Sequence, residues 1–148
     1  MKNVHRSVLI WYSAEEMFGL VTDIPKYPEF LPWCDHASIL ALEPDGVKAQ
    51  IGIAFGGIHQ TFTTRNVHAP GREVKMKLVD GPFSQLDGRW LFTPLGKAPG
   101  ERACKVALEL HYTFKNPGLA TLVGPVFDKI AGNLVDAFVK RAEQVFGQ

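Results

Sequence analysis

The sequence predicts a single α+β domain in which a strongly curved antiparallel sheet wraps a long C-terminal amphipathic helix and encloses an apolar pocket. Three observations predict it. Six successive segments alternate apolar and polar residues between short turn pairs, and the last stretch, Leu119 to Phe146, returns to a helical period with a wide apolar stripe. The 148 residues also contain no internal repeat or low-complexity linker that would divide the chain into more than one domain.

Taken in order, Val4 to Tyr12 is β-branched or aromatic at most positions, the composition of a strand. Ser13-Ala14-Glu15-Glu16 follows with the spacing of a capping box, in which the Ser13 hydroxyl accepts the Glu16 amide and the Glu16 carboxylate accepts Ser13 N–H. The helix it opens has Met17, Phe18, Leu20 and Val21 on its buried side and ends near Ile24, because Pro25 disfavours helical geometry in the residue before it. Tyr27 to Pro32 reads as a second short helix or tight turn.

Strands are predicted at 33–43, 46–55, 58–67, 72–79, 85–95 and 102–114, divided by Asp45-Gly46, Gly56-Gly57, Pro70-Gly71, Gly81-Pro82 and Pro99-Gly100. Those pairs are turn chemistry, and strands joined by short turns run antiparallel. Val74, Met76 and Leu78 alternate with Glu73, Lys75 and Lys77, and Val106, Leu108, Leu110 and Tyr112 alternate with polar residues, so one face of the sheet is buried. The final helix carries Leu119, Leu122, Val123, Val126, Phe127, Ile130, Leu134, Val135, Phe138, Ala142 and Val145 on its apolar side. A helix about 40 Å long needs a broad concave partner, which a curling sheet provides.

Composition excludes several classes. Hydrophobic residues make up 46% and charged residues 21%, the balance of a globular protein rather than a disordered one. Sixteen Lys and Arg against 15 Asp and Glu leave a net charge of +1, no field for holding nucleic acid by phosphate neutralisation, and no DNA partner is expected. Cys34 and Cys104 lie far apart without metal-ligand spacing, so no disulfide framework is expected and a reducing cytoplasm is the default. The N-terminal apolar run is too short for a signal peptide, and no stretch approaches the roughly 20 apolar residues of a membrane span. A soluble protein is expected, with a transient, peripheral approach to a membrane left open.

Catalytic groups are scarce. His5, His36, His59, His68 and His111 fall on separate segments, none with a partner at metal-ligand spacing. Nucleophile-elbow, phosphate-loop and zinc-protease motifs are absent. Asp80-Gly81 is explained by turn formation, and Cys34 reads as a packed thiol. No enzymatic activity and no required cofactor or metal is expected. The bulky apolar set is the richer signal: Phe30, Trp33, Phe62, Met76, Leu78, Phe83, Trp90, Phe92, Leu108, Leu110, Tyr112, Phe127, Ile130 and Leu134 are the candidate lining of a pocket for a hydrophobic small molecule. Phe62, Met76, Trp90, Leu108 and Ile130 are expected to point inward.

Three blocks carry a family resemblance. Asp23-Ile24-Pro25-Lys26-Tyr27-Pro28-Glu29-Phe30-Leu31-Pro32-Trp33-Cys34 resembles the D-I-x-x-Y-P-x-F-x-P-x-C signature of the ubiquinone-binding START-like proteins, related to polyketide cyclases and dehydrases. Leu78 to Phe92 is similar to that family's L-x-x-G-P-F-x-x-L-x-G-x-W-x-F block, and Val135-Asp136-Ala137-Phe138 on the C-terminal helix is a third match. The bacterial members include the RatA-like branch of ribosome-association toxins. The resemblance implies a helix-grip (START/Bet v 1-like) fold with a tunnel for a lipophilic molecule, ubiquinone or another isoprenoid lipid, in support of cellular respiration. As the alternative, it implies a toxin–antitoxin role in which the protein binds the large ribosomal subunit and blocks subunit joining. The first reading asks for a closure of one pocket end by Asp23 to Cys34 and for a hydrogen bond from Tyr112 to a quinone carbonyl. The second asks for a basic surface, for which Lys75, Lys77 and Arg89 on adjacent strands are the candidates. Peripheral attachment at the inner membrane belongs to the first.

Overall fold

The computed structural model describes residues 1–96 and 102–147. Along the chain come β1 (Lys2–Ile10), α1 (Ala14–Thr22), a 3-10 helix (Ile24–Glu29), β2 (Cys34–Glu43), β3 (Gly46–Phe55), β4 (Ile58–Ala69), β5 (Glu73–Asp80), β6 (Phe83–Pro94), β7 (Cys104–Phe114) and α2 (Pro117–Phe146). The strands form one seven-stranded sheet in the order β1-β7-β6-β5-β4-β3-β2, antiparallel at every pairing. With α2 laid in its concave side against β7 and β1, this is the helix-grip arrangement that the resemblance implied. The Pro99-Gly100 turn lies outside the described residues.

The topology positions the short helices. β1 is one edge of the sheet and β2 the other, so the chain between them crosses from edge to edge over one end of the curl. α1 packs on β6, β7 and α2, and the 3-10 helix packs on β2. The capping box forms as the spacing predicts: Glu16 N donates to Ser13 Oγ at 3.0 Å and Ser13 N donates to Glu16 Oε1 at 2.9 Å. Arg102 Nη2 closes on Glu16 Oε2 at 2.6 Å, and that bond holds the Glu16 carboxyl below its ordinary range.

Bulges bend the sheet where alternation alone would leave it flat. They interrupt β2 between Cys34 and His36 and between Ile39 and Ala41, β5 between Leu78 and Asp80 opposite Thr63 and Thr64, and β6 between Phe83 and Gln85. Two glycines make close approaches. Gly81, at φ +148, turns the chain from β5 to β6, and a Cβ there would sit 2.6 Å from Phe62 Cβ. A Cβ on Gly88 would sit 2.4 Å from the Glu109 carbonyl oxygen across the β6–β7 pair.

Some boundaries differ from the expected ones. β1 stops at Ile10, because its ladder partner β7 begins at Cys104 and Ile10–Cys104 is the last pair. Trp11 is therefore left 83% exposed, and Tyr12 turns to pack on Phe146. Asn116 caps α2, its Oδ1 accepting Leu119 N–H at 2.9 Å, so the helix begins earlier than the stripe suggested. Leu122 and Val145 lie on that stripe yet are exposed, whereas Val123, Val135, Phe138 and Ala142 between them are buried. The helix is about 45 Å long, and Leu122 and Val145 sit at the edges of the stripe rather than on its buried centre. Among the described residues no helix is long and apolar enough to cross a membrane.

Candidate functional site

The buried apolar residues divide into two clusters. The larger gathers Met17, Phe83, Trp90, Leu108, Tyr112, Phe127, Ile130 and Phe138 with their neighbours, and the smaller joins Ile24, Leu31 and Cys34 to Val47, Ala49 and Ile51 on β3. Tyr27, Phe30, Trp33, Phe62 and Leu134 touch both. At the seam between them the packing leaves a cavity of about 90 Å³ under the middle of α2. Two curved surfaces meeting a straight helix cannot interdigitate everywhere, and this is where they fail to.

Of the predicted lining, Trp33, Phe62, Met76, Trp90, Leu110, Phe127, Ile130 and Leu134 border the cavity. The other predicted residues do not, each for a visible reason. Phe30 packs edge-on against Phe138, 5.1 Å between centroids, beside the cavity rather than in its wall. Phe83 is locked among Phe62, Phe114, Tyr112 and Phe127. Phe92 lies against Phe18 and Trp90, and Leu108 is fully buried core. Leu78 packs against the larger cluster and borders a groove where β5 and β6 part, outside the cavity wall. The expectation for Tyr112 is corrected: its hydroxyl donates to Asp128 Oδ1, and Asp128 Oδ2 in turn pairs with Lys2 at 3.3 Å. Burial, reinforced by that carboxylate, pushes the Tyr112 phenol above its ordinary range, so it stays a neutral donor that ties β7 to α2.

The segment from Asp23 to Cys34 does close one side, with Ile24, Tyr27 and Trp33 in the wall. Backbone bonds staple it: Leu31 N to Tyr27 O at 3.0 Å, Cys34 N to Leu31 O at 2.9 Å and Ala54 N to Trp33 O at 2.7 Å. Arg141 of α2 pins its end, donating to Glu29 Oε1 at 2.9 Å while lying over the Phe30 ring. The Tyr27 hydroxyl is committed to the Val21 carbonyl. Burial pushes the Cys34 thiol up to about 11, and it donates to the His36 carbonyl, which makes it a packed group rather than a nucleophile.

Sequence reasoning missed Thr64 and Asn66. Both are nearly fully buried on the concave face of β4 and border the cavity, Thr64 Oγ1 donating to Asn66 Oδ1 at 2.8 Å. The signal was available, since Phe62, Thr64 and Asn66 share one parity and Phe62 was assigned inward. Ile24, Tyr27, Ala49, Ile51, Leu86, Ala131 and Phe138 complete the wall. Among the described residues no Asp, Glu, His, Lys, Arg or Cys borders the cavity.

On the convex face a groove of about 890 Å³ follows β5 and β6. The β5–β6 ladder ends at Lys77–Asp87 although both strands continue, and Met76 and Leu86 at this opening border groove and cavity alike. The expected basic surface is partly cancelled here. Arg89 donates to Glu109 Oε2 at 2.9 Å and approaches Glu73 Oε2 at 3.5 Å, and Arg65 meets Glu43 at 3.1 Å. Lys75 and Lys77 are in no ion pair among the described residues. Elsewhere, His36 and His59 come to the two oxygens of Asp35, at 3.1 and 3.8 Å, and only the fold brings His59 there. Among the described residues no His, Cys, Asp or Glu group is arranged to hold a metal ion.

A family model described as polyketide cyclase/dehydrase and lipid transport matches residues 10–139. The chain belongs to that family. Within the polyketide cyclase/dehydrase and lipid transport family, it is 44% identical over 148 residues, the whole of both chains, to a Vibrio cholerae protein named ribosome association toxin RatA. It is 25% identical over 143 residues to the Xenopus laevis mitochondrial coenzyme Q-binding protein COQ10 homolog B, covering 96% of this chain and 58% of that one. The Zhui aromatase/cyclase from Streptomyces sp. R1128 superposes with a TM-score of 0.82 over 97% of this chain and 94% of its own, at 16% identity, a likeness of fold.

Proposed function

We propose that this protein binds a lipophilic small molecule, ubiquinone or a related polyprenyl quinone, in the cavity under α2, and that it acts by binding rather than by catalysis. The observation that carries this reading is the wall itself: hydrocarbon and aromatic groups, one Thr–Asn pair, and no residue able to act as a general acid or base at neutral pH. The name of the Xenopus relative supports quinone as the class. Each buried CH₂ of an isoprenoid contributes about 0.8 kcal/mol. A cavity of about 90 Å³ is smaller than the quinone, so binding includes an opening, and Met76 and Leu86 are the thinnest part of the wall. In this role the protein exchanges its ligand with a membrane at transient, peripheral contact and supports respiratory electron transport.

Mass spectrometry of an organic extract of the purified protein tests the proposal, together with quinone titration read by the fluorescence of Trp33 and Trp90 in the wall. A co-purifying quinone and saturable quenching are expected. Absence of both overturns the reading.

A second reading has its own support in the 44% identity to a ribosome association toxin and in the two unpaired lysines of the groove. In it the groove face docks on the ribosome and impedes subunit joining. Sedimentation of ribosomal subunits with added protein decides it. A shift from joined to free subunits, lost in Lys75→Glu/Lys77→Glu, is the expected result, and an unchanged profile removes it.

A further inference from the structure

We infer that the cavity's ligand carries a neutral hydrogen-bond acceptor of the carbonyl type and that Asn66 selects it. This rests on reading the cavity as a ligand site and adds the ligand's polar chemistry. Asn66 is held on both sides, its backbone paired with Val47 of β3 and Met76 of β5, and its side chain is 6% exposed. Its Oδ1 is occupied by the Thr64 hydroxyl. The two N–H donors of Nδ2 remain, and among the described residues no group accepts from them. Nδ2 itself is not sealed in the packing, and an amide donor that a ligand covers without accepting from it is costly.

What satisfies it must enter the cavity that Asn66 borders. A buried water keeps two to four polar partners. Here it finds the minimum of two, Nδ2 and Thr64 Oγ1, before hydrocarbon and aromatic wall, since the Tyr27 hydroxyl is committed to Val21, so a water at this position is readily displaced by a ligand. A carbonyl on an apolar body satisfies the amide with one acceptor while its remainder covers that wall. An ionised carboxylate does not fit, because no Lys, Arg or His borders the cavity to offset its charge. The class is therefore a ketone, quinone or ester rather than a free fatty acid.

The test compares acetophenone with α-methylstyrene, in which C=CH₂ replaces C=O at nearly the same shape, by NMR titration of the full ¹⁵N-labelled chain. Their different hydrophobicities cancel when the ratio of the two affinities is compared between wild type and Asn66→Leu. Asn66→Leu should lower the preference for acetophenone about tenfold, and Thr64→Val, which removes only the hydroxyl that orients the amide, should lower it less. An unchanged ratio overturns the inference and leaves the cavity as a ligand site. No binding of either probe to wild type overturns the cavity reading and this inference with it. Should Asn66→Leu not fold, the Asn66 side-chain amide resonances of the wild type decide: a shift with acetophenone and none with α-methylstyrene is expected, and equal behaviour overturns the assignment.

Discussion

The cavity and the groove share Met76 and Leu86, yet they handle polar groups in opposite ways. Residues one position apart on β5 and β6 face either a dry wall or a wet one. On the convex side Arg65 and Arg89 meet carboxylates in the open, where such pairs are screened and rearrange at little cost. On the concave side the Thr64–Asn66 pair lies among apolar groups, so whatever covers it must meet its hydrogen-bonding groups from inside. The lesson is that the groove tolerates change whereas the cavity transmits it.

That contrast can be broken or sharpened by substitution. The largest effect is expected from Trp90→Ala. Trp90 is 2% exposed, stacked on Phe92 and edge-to-face with Phe138, so the change should cost about 3–5 kcal/mol in urea unfolding. A loss below about 1 kcal/mol would mean that this wall is not packed as described. Leu86→Ala removes half of the partition, joining cavity to groove at a cost of about 2–4 kcal/mol, with quinone uptake accelerated in stopped-flow fluorescence. Slower or unchanged uptake would show that the ligand enters elsewhere.

Ile130→Trp fills the cavity from α2 and should weaken quinone binding at least about tenfold, whereas His111→Ala, in the groove, should leave it unchanged. Equal quinone affinity in wild type and Ile130→Trp would contradict the cavity as the site.

A pH effect separates the two faces again. Burial, partly offset by the Asp45 carboxylate, holds the His68 imidazole below its ordinary range, and its Nε2 is buried without a partner among the described residues. The folded state keeps His68 neutral while the unfolded chain protonates it near about 6.5. Stability from this group is thus present above that pH and lost as pH falls toward the folded value. The melting temperature should drop between about pH 7 and pH 5, and His68→Gln should flatten that slope. An identical slope in the variant would assign the acid sensitivity to other groups. The smallest effect is expected from Arg89→Gln, whose ion pairs lie in solvent: little change in melting temperature and less sensitivity of stability to salt.

Much of the fold was legible because local chemistry and global architecture agree. The capping box, the turn pairs and the period of each strand are decided by residues within a few positions of one another, and the observed β3 and β5 fall within a residue of the expected spans. The candidate site was less legible. Met76, Trp90 and Ile130 followed from alternation and the helical stripe, but the same signals could not tell wall from solid core for Phe83, Phe92 or Leu108, since all are inward and apolar.

The sequence by itself determined which residues turn inward, that the sheet is antiparallel and that its partner is the C-terminal helix, because hydrophobic period and turn chemistry are short-range properties. Tertiary structure alone decided the rest. Where the two clusters fail to interdigitate under α2 depends on bulges in β2, at Val79 of β5 and near Phe83 of β6 that no local pattern announces. Tyr112 is spent on Asp128, and Arg89 on Glu109, because partners 16 and 20 residues away are brought within hydrogen-bond reach only once the sheet has curled. Asn66 keeps its donors for the cavity because the only partner its own strand supplies is Thr64, and the strands beside it turn apolar groups toward it.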